Sequence, residues 1–199
     1  MALLSQEEIE KIKNIKGEVV GTSFHEDEKF IRQKEGEEGV KKVEEEMAKL
    51  GYPFRFKELK SFQLYPMGLN LAYVIVEKNI FGWGEEVFRE NGRFNARISI
   101  IAKIMVKYFV SLKKCFDEAG NFWQKYYTAG HLKTEYLDEK KRSAALVLDD
   151  FEGHPLLCLI YEGYFWQVIS YVAPKETLKV QEIECPFKGG KVHRFQVTW

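Results

Sequence analysis

Apolar positions recur at helical spacing through the first two thirds of the chain, then alternate in short runs from about residue 131. Residues 131–137 and 144–151 read as strands around a charged turn. His154-Pro155 opens an apolar helix that extends to about residue 171, and beyond Pro174 residues 177–185 and 191–199 read as two further strands around Gly189-Gly190. Leu178, Val180 and Ile183 alternate with polar residues on one of them, and Val192, Phe195, Val197 and Trp199 on the other. Hairpin, helix, hairpin predicts a four-stranded antiparallel sheet with one face covered by the intervening helix.

The earlier stretch predicts the cover for that sheet. Ser5 and Glu8 have the spacing of a capping box, which starts a short helix over 5–14. Residues 17–24 are β-branched and short, which predicts a strand of the same sheet. Helices follow over 26–35 and 37–50, separated by Gly36 and ended by Gly51 and Pro53. A connector over 62–66 leads to a helix over 67–80, and then to the longest helical pattern, 85–112, with an expected kink at Asn91-Gly92. Its apolar stripe, which includes Phe94, Ile98, Ile101 and Met105, is too broad for an exposed helix, so it should lie centrally. A short aromatic helix over 117–128 completes an α+β domain spanning 1–199, with residues 1–130 mainly helical and residues 131–199 carrying the sheet.

Composition narrows the class. The 199 residues carry no net charge, which argues against a nucleic-acid partner or an anionic membrane surface. No apolar run reaches the length of a membrane span. Three cysteines and no export signal point to a reducing cytoplasm. Aromatic residues make up 15% of the chain, more than an extended or disordered chain would need, so they call for a substantial interior.

Several short motifs occur in one order: Gly92-Arg-Phe-Asn-Ala96, then Trp123-x-x-Tyr-Tyr127-x-x-Gly130, then Leu157-Cys158 with Gly163, and finally Cys185-x-x-x-Gly189 through Phe195 to Trp199. This order resembles the 4-vinyl reductase-type small-molecule-binding domains and a related uncharacterised myxobacterial family. Both share the fold of the heme-NO-binding (H-NOX) domains and the TRAPP vesicle-tethering subunits. The resemblance implies a helical cap on the antiparallel sheet with an apolar pocket between them, lined by Phe94, Ile98, Ile101, Met105, Tyr108, Trp123, Tyr126 and Tyr161. Tyr164 and Trp166 offer further rings with polar tips. The same aromatics would equally serve as ordinary core packing.

The most pointed chemical constellation is His154, Cys158, Cys185 and His193. His154 and Cys158 are four apart on a helix and share a face, while Cys185 and His193 are placed symmetrically about a turn. Two thiolates and two imidazoles would make a closed, structural zinc site; buried packing of the cysteines is the plainer alternative. Haem is disfavoured on the sequence, because no histidine lies between His25 and His131 and the Tyr-x-Ser-x-Arg motif of H-NOX domains is missing. No nucleophile elbow, phosphate loop or dinucleotide fingerprint appears. The sequence therefore favours a cytoplasmic, non-catalytic domain that binds a small hydrophobic molecule as sensor or carrier. The alternatives are a homodimerising interaction module and, by resemblance alone, an accessory factor in tetrapyrrole reduction.

Overall fold

The protein is described by a computed structural model over residues 6–107 and 111–199. Ser5 and Tyr108 lie outside the described residues, as does the side chain of Met105.

The C-terminal third forms the expected sheet. Strands β3 (His131–Asp138), β4 (Ser143–Asp149), β5 (Lys179–Glu184) and β6 (His193–Thr198) are ordered β3-β4-β6-β5, all antiparallel. On β6 the side chains of His193, Phe195 and Val197 are buried and alternate with half-buried polar residues, the period expected of a strand with one covered face. Helix α8 (Pro155–Ile169) covers that face, with Phe165 edge-on to Phe195 at 5.1 Å.

The helical portion consists of α1 (Gln6–Lys13), α2 (Thr22–Lys49), α3 (Met67–Phe81), α4 (Glu85–Ile98), α5 (Ile100–Val106), α6 (Leu112–Asp117) and α7 (Ala119–Trp123). Gly36 interrupts α2 at φ 72° and ψ −172°, a conformation open essentially to glycine alone. Two expectations are corrected. Residues 17–24 do not join the main sheet: β1 (Glu18–Val20) pairs with β2 (Leu64–Pro66) in a separate two-stranded ribbon, and α2 starts at Thr22. The pattern over 85–112 is not one helix kinked at Asn91-Gly92. It runs straight through that pair and breaks at Ser99, whose ψ of 130° ends α4. The Ser99 hydroxyl then accepts from the backbone N–H of Ala102 at 3.2 Å and so caps α5.

Gly92 has a different task. Helices α4 and α8 cross so closely that a β-carbon at Gly92 would lie 1.9 Å from the carbonyl oxygen of Ile160, and one at Gly163 would lie 2.0 Å from that of Arg89. The two glycines let backbone meet backbone. Arg89 strengthens the crossing through its Nε, which donates to the buried Glu162 of α8 at 2.7 Å.

Candidate functional site

Two groups of side chains stand out, and α8 contributes to both. The first surrounds a cavity of about 50 Å³ between the helical layer and α8. Helical spacing supplies its walls: Ser23, Glu26 and Asp27 from α2, Asn70, Tyr73 and Val74 from α3, and Leu157, Ile160, Tyr161, Tyr164 and Phe165 from α8. Asn95 of α4 and the aromatic run Phe122, Trp123, Tyr126 and Tyr127 close the remainder.

One end of this cavity is polar. Asp27 is buried and its carboxylate accepts from the Tyr73 hydroxyl and from the amides of Asn91 and Asn95, the latter at 3.1 Å. Asn70 in turn donates to the Tyr73 hydroxyl at 2.7 Å. Burial raises the Asp27 carboxyl above its usual range, and the three hydrogen bonds pull it part of the way back. Burial pushes Glu26 up to about 8, helped by the neighbouring Asp27 and opposed by a hydrogen bond from Ser99. Glu77 lies behind them on α3, fully buried with neither carboxylate oxygen partnered, and desolvation holds it well above the normal carboxylate range.

Three buried polar atoms around the cavity have no hydrogen-bond partner: Ser23 Oγ, Glu26 Oε1 and Asn95 Oδ1. Buried polar atoms are nearly always satisfied, so such a set facing one void asks for water or ligand. The void itself has room for a few waters. A drug-sized molecule, which needs roughly 300 Å³ or more, would have to push rings aside.

Of the pocket residues expected from the sequence, Trp123, Tyr126 and Tyr161 line this cavity. Phe94 instead packs on Phe30 at 5.4 Å, with the Arg97 guanidinium over its ring. Ile98 and Ile101 are half-buried away from the lining, Ile101 against the core. The residues that sequence reasoning missed are Glu26, Asp27, Asn70 and Asn95. Their signal was present: Asp27 is three residues after Phe24 and four before Ile31, on the face of α2 that must be buried.

The second group joins α8 to the β5–β6 hairpin. Cys158, Glu182, Cys185 and His193 bring their donor atoms within 4.8 Å of one another. His193 Nδ1 lies 2.7 Å from Glu182 Oε1, 3.5 Å from Cys158 Sγ and 3.9 Å from Cys185 Sγ. A bulge makes this possible. Glu182 pairs with Phe195 but Glu184 pairs with Arg194, which leaves Ile183 as an extra, exposed residue. Beyond it Cys185 falls opposite His193, on the same covered face as Glu182. The bulge is fastened to α8, because the backbone N–H of Glu182 donates to Glu162 at 2.6 Å. Burial raises both thiols, and for Cys158 the Glu182 carboxylate adds to the effect. His154 stands apart from this set: its Nδ1 accepts from the backbone N–H of Leu156 at 3.2 Å and caps α8. Desolvation and the charge of Lys78 lower its pKa, which keeps that nitrogen an acceptor.

Among the described residues no helix is long and apolar enough to cross a membrane. No family profile matches the chain, and no curated protein matches it either. Solved structures do. An H-NOX protein from S. oneidensis in the Fe(II)NO ligation state superimposes with a TM-score of 0.66 at 14% identity, covering 89% of this chain and 97% of that one. An unliganded Fe(II) H-NOX variant from K. algicida gives 0.64 at 11% identity, over 90% and 95% of the two chains. A T. tengcongensis H-NOX variant gives 0.61 at 14%, over 89% and 96%.

These comparisons correct the expectation that disfavoured haem, since the structures sharing this architecture include Fe(II) H-NOX proteins. Among the described residues, the cavity lining offers iron tyrosine hydroxyls and the carboxylates of Glu26 and Asp27, with no imidazole or thiolate. Among the described residues no lysine or arginine lines it to meet a propionate. The present lining is thus not shaped for a histidine-ligated haem, and any haem would need oxygen ligation and an enlarged cavity. What the comparisons show is the architecture: this chain has the H-NOX fold.

Proposed function

We propose that the protein is a non-catalytic ligand-binding domain, acting as sensor or carrier. Its ligand would be a small, largely apolar molecule whose hydrogen-bond donors face the acidic end of the cavity. The observation that carries this reading is the convergence of three unpartnered buried polar atoms on one void otherwise walled by aromatic rings. Kinship with the 4-vinyl reductase-type domains rests on the sequence motifs and is compatible with this role. A cytoplasmic setting belongs to the same reading, because all three cysteines are free and buried.

The test is a cavity-filling variant. Leu157→Phe places extra volume in a void of about 50 Å³, so the protein should stay folded by circular dichroism and keep its Tm within a few degrees. Solvent extracts of the purified wild type should contain a small molecule that is depleted in extracts of the variant. Equal amounts from both proteins would remove the cavity from consideration.

A second reading, a homodimerising module, is favoured by Ile100 and Ile104. They lie one turn apart on α5 and are 59% and 52% exposed. Analytical ultracentrifugation of the wild type and an Ile100→Lys, Ile104→Lys variant decides it: a wild-type dimer that the double variant dissolves supports that reading, and a monomeric wild type rejects it.

A further inference from the structure

We propose that the acidic end of the aromatic cavity holds the ammonium head of a small primary amine, whose short alkyl tail points between Phe122 and Phe165. This rests on the ligand-binding reading above and names the chemistry of its ligand.

The unused hydrogen-bonding capacity at that end is for accepting. Asn95 spends both amide hydrogens, one on Asp27 at 3.1 Å and one on the side-chain oxygen of Asn91 at 2.7 Å. Those two bonds fix which way the amide lies and leave Oδ1 as its unpartnered atom. Glu26 Oε1 accepts when the carboxyl is ionised, and Ser23 Oγ accepts as readily as it donates. Ser23 and Glu26 are three apart on α2 and share a face, while Asn95 reaches the same void from α4. Glu26 and Asn95 are only 4% and 7% exposed, so bulk water does not serve them. A primary ammonium carries three N–H donors, one for each of these atoms, whereas a hydroxyl offers one.

Charge points the same way. Asp27 accepts from Tyr73, Asn91 and Asn95, the pattern of an ionised carboxylate. Among the described residues no lysine, arginine or histidine lines the cavity, and none is paired with Asp27. Lys29 acts on Glu26 from an exposed position on α2 and is not part of the lining. A buried carboxylate without a countercharge is costly, and a cation in the void lowers that cost. Most of the remaining wall is aromatic, including Tyr73, Trp123, Tyr126 and Tyr161, and ring faces attract cations. In the empty cavity burial carries the Glu26 carboxyl up to about 8, so it keeps its proton at neutral pH. An ammonium beside it favours the carboxylate, and that proton passes to the solvent as the cation binds.

The tail has somewhere to go. Beyond Phe122 and Phe165, which belong to both linings, lies a second void of about 30 Å³ walled by Cys115, Leu132, Leu146, Val168 and Ile169. Turning either ring joins the two voids, and the apolar second one suits a chain of a few carbons rather than a second polar group.

The experiment uses the full chain, dialysed at pH 7 in phosphate and titrated by calorimetry with n-butylammonium chloride and with 1-butanol, which has the same length and no charge. About one equivalent of butylammonium should bind, at least about tenfold more tightly than butanol. In weakly buffered solution its binding should release about one proton, read with a pH indicator, and butanol should release none. Glu26→Gln should weaken butylammonium at least about tenfold, abolish the proton release and leave butanol within about threefold. Ser23→Ala should weaken butylammonium by a smaller factor, about threefold to tenfold. Leu157→Phe should exclude both ligands. Equal affinity for amine and alcohol, both lost in Leu157→Phe, would overturn the ammonium assignment while leaving the cavity as a ligand site. Butylammonium that binds Glu26→Gln and Leu157→Phe as it binds the wild type would also overturn it, by placing the cation elsewhere. A folded, ligand-free wild type that binds neither compound overturns it as well, and a molecule recovered from wild-type extracts would then still uphold the cavity.

Discussion

Replacing Glu26 by Gln should flatten the pH dependence of stability. In the folded chain burial carries the Glu26 carboxyl from an ordinary 4.5 to about 8, so between those values the folded protein keeps a proton that the unfolded chain has released. Folding then takes up a proton, and stability falls as pH rises across that window; below about 4.5 and above about 8 the group contributes no slope. At 1.36 kcal/mol per pH unit the loss between pH 5 and pH 8 approaches about 4 kcal/mol, and partial entry of water would reduce it to about 2. Asp27 and Glu77 are displaced in the same direction by burial and add to the wild-type slope. Glutamine occupies the same volume and does not titrate, so the variant should gain on the wild type by about 2–4 kcal/mol as pH goes from 5 to 8. Urea unfolding at pH 5, 6.5 and 8 measures this. Two parallel stability profiles, with a difference constant to within about 0.5 kcal/mol, would show that Glu26 is solvated and that the acidic end of the cavity is not sealed as described.

Two further outcomes follow from the backbone. Gly163→Ala forces a methyl group against the Arg89 carbonyl, 2.0 Å from the added carbon, and should cost about 3 kcal/mol or more by denaturant unfolding. A loss below about 1 kcal/mol would mean that α4 and α8 are not in backbone contact. Gly36→Ala meets no atom within 4 Å, yet its φ of 72° should still cost about 1–3 kcal/mol through strain alone; an unchanged Tm would refute that conformation.

The sheet and α8 were legible in the sequence because their signals are local: two-residue alternation, glycine turns, and a His-Pro helix start. Gly36 was legible for the same reason. The break at Ser99 was not, since serine is tolerated within helices and only the inward turn of its hydroxyl, bonded to Tyr126, marks the interruption. Residues 17–24 show the limit of propensity: β-branched residues favour a strand but do not say which partner it finds. Glu182 was hidden by its own spacing. Residues three apart on a regular strand face opposite sides, and only the extra residue at Ile183 puts Glu182 and Cys185 together. Asp27 and Glu26 did not stand out in a chain with 30 acidic residues, although their position on the Phe24–Ile31 face placed them inside.

Ligand occupancy of the aromatic cavity is the central claim, and native mass spectrometry of the freshly purified protein addresses it most directly, with an absorption spectrum of the same sample to reveal any haem. A mass excess over the bare chain, larger than that of a metal ion, is expected, and it should disappear on denaturation and in Leu157→Phe. A wild-type protein at the mass of the bare or metal-loaded chain, with no visible absorption and no bound molecule in its extract, would contradict it.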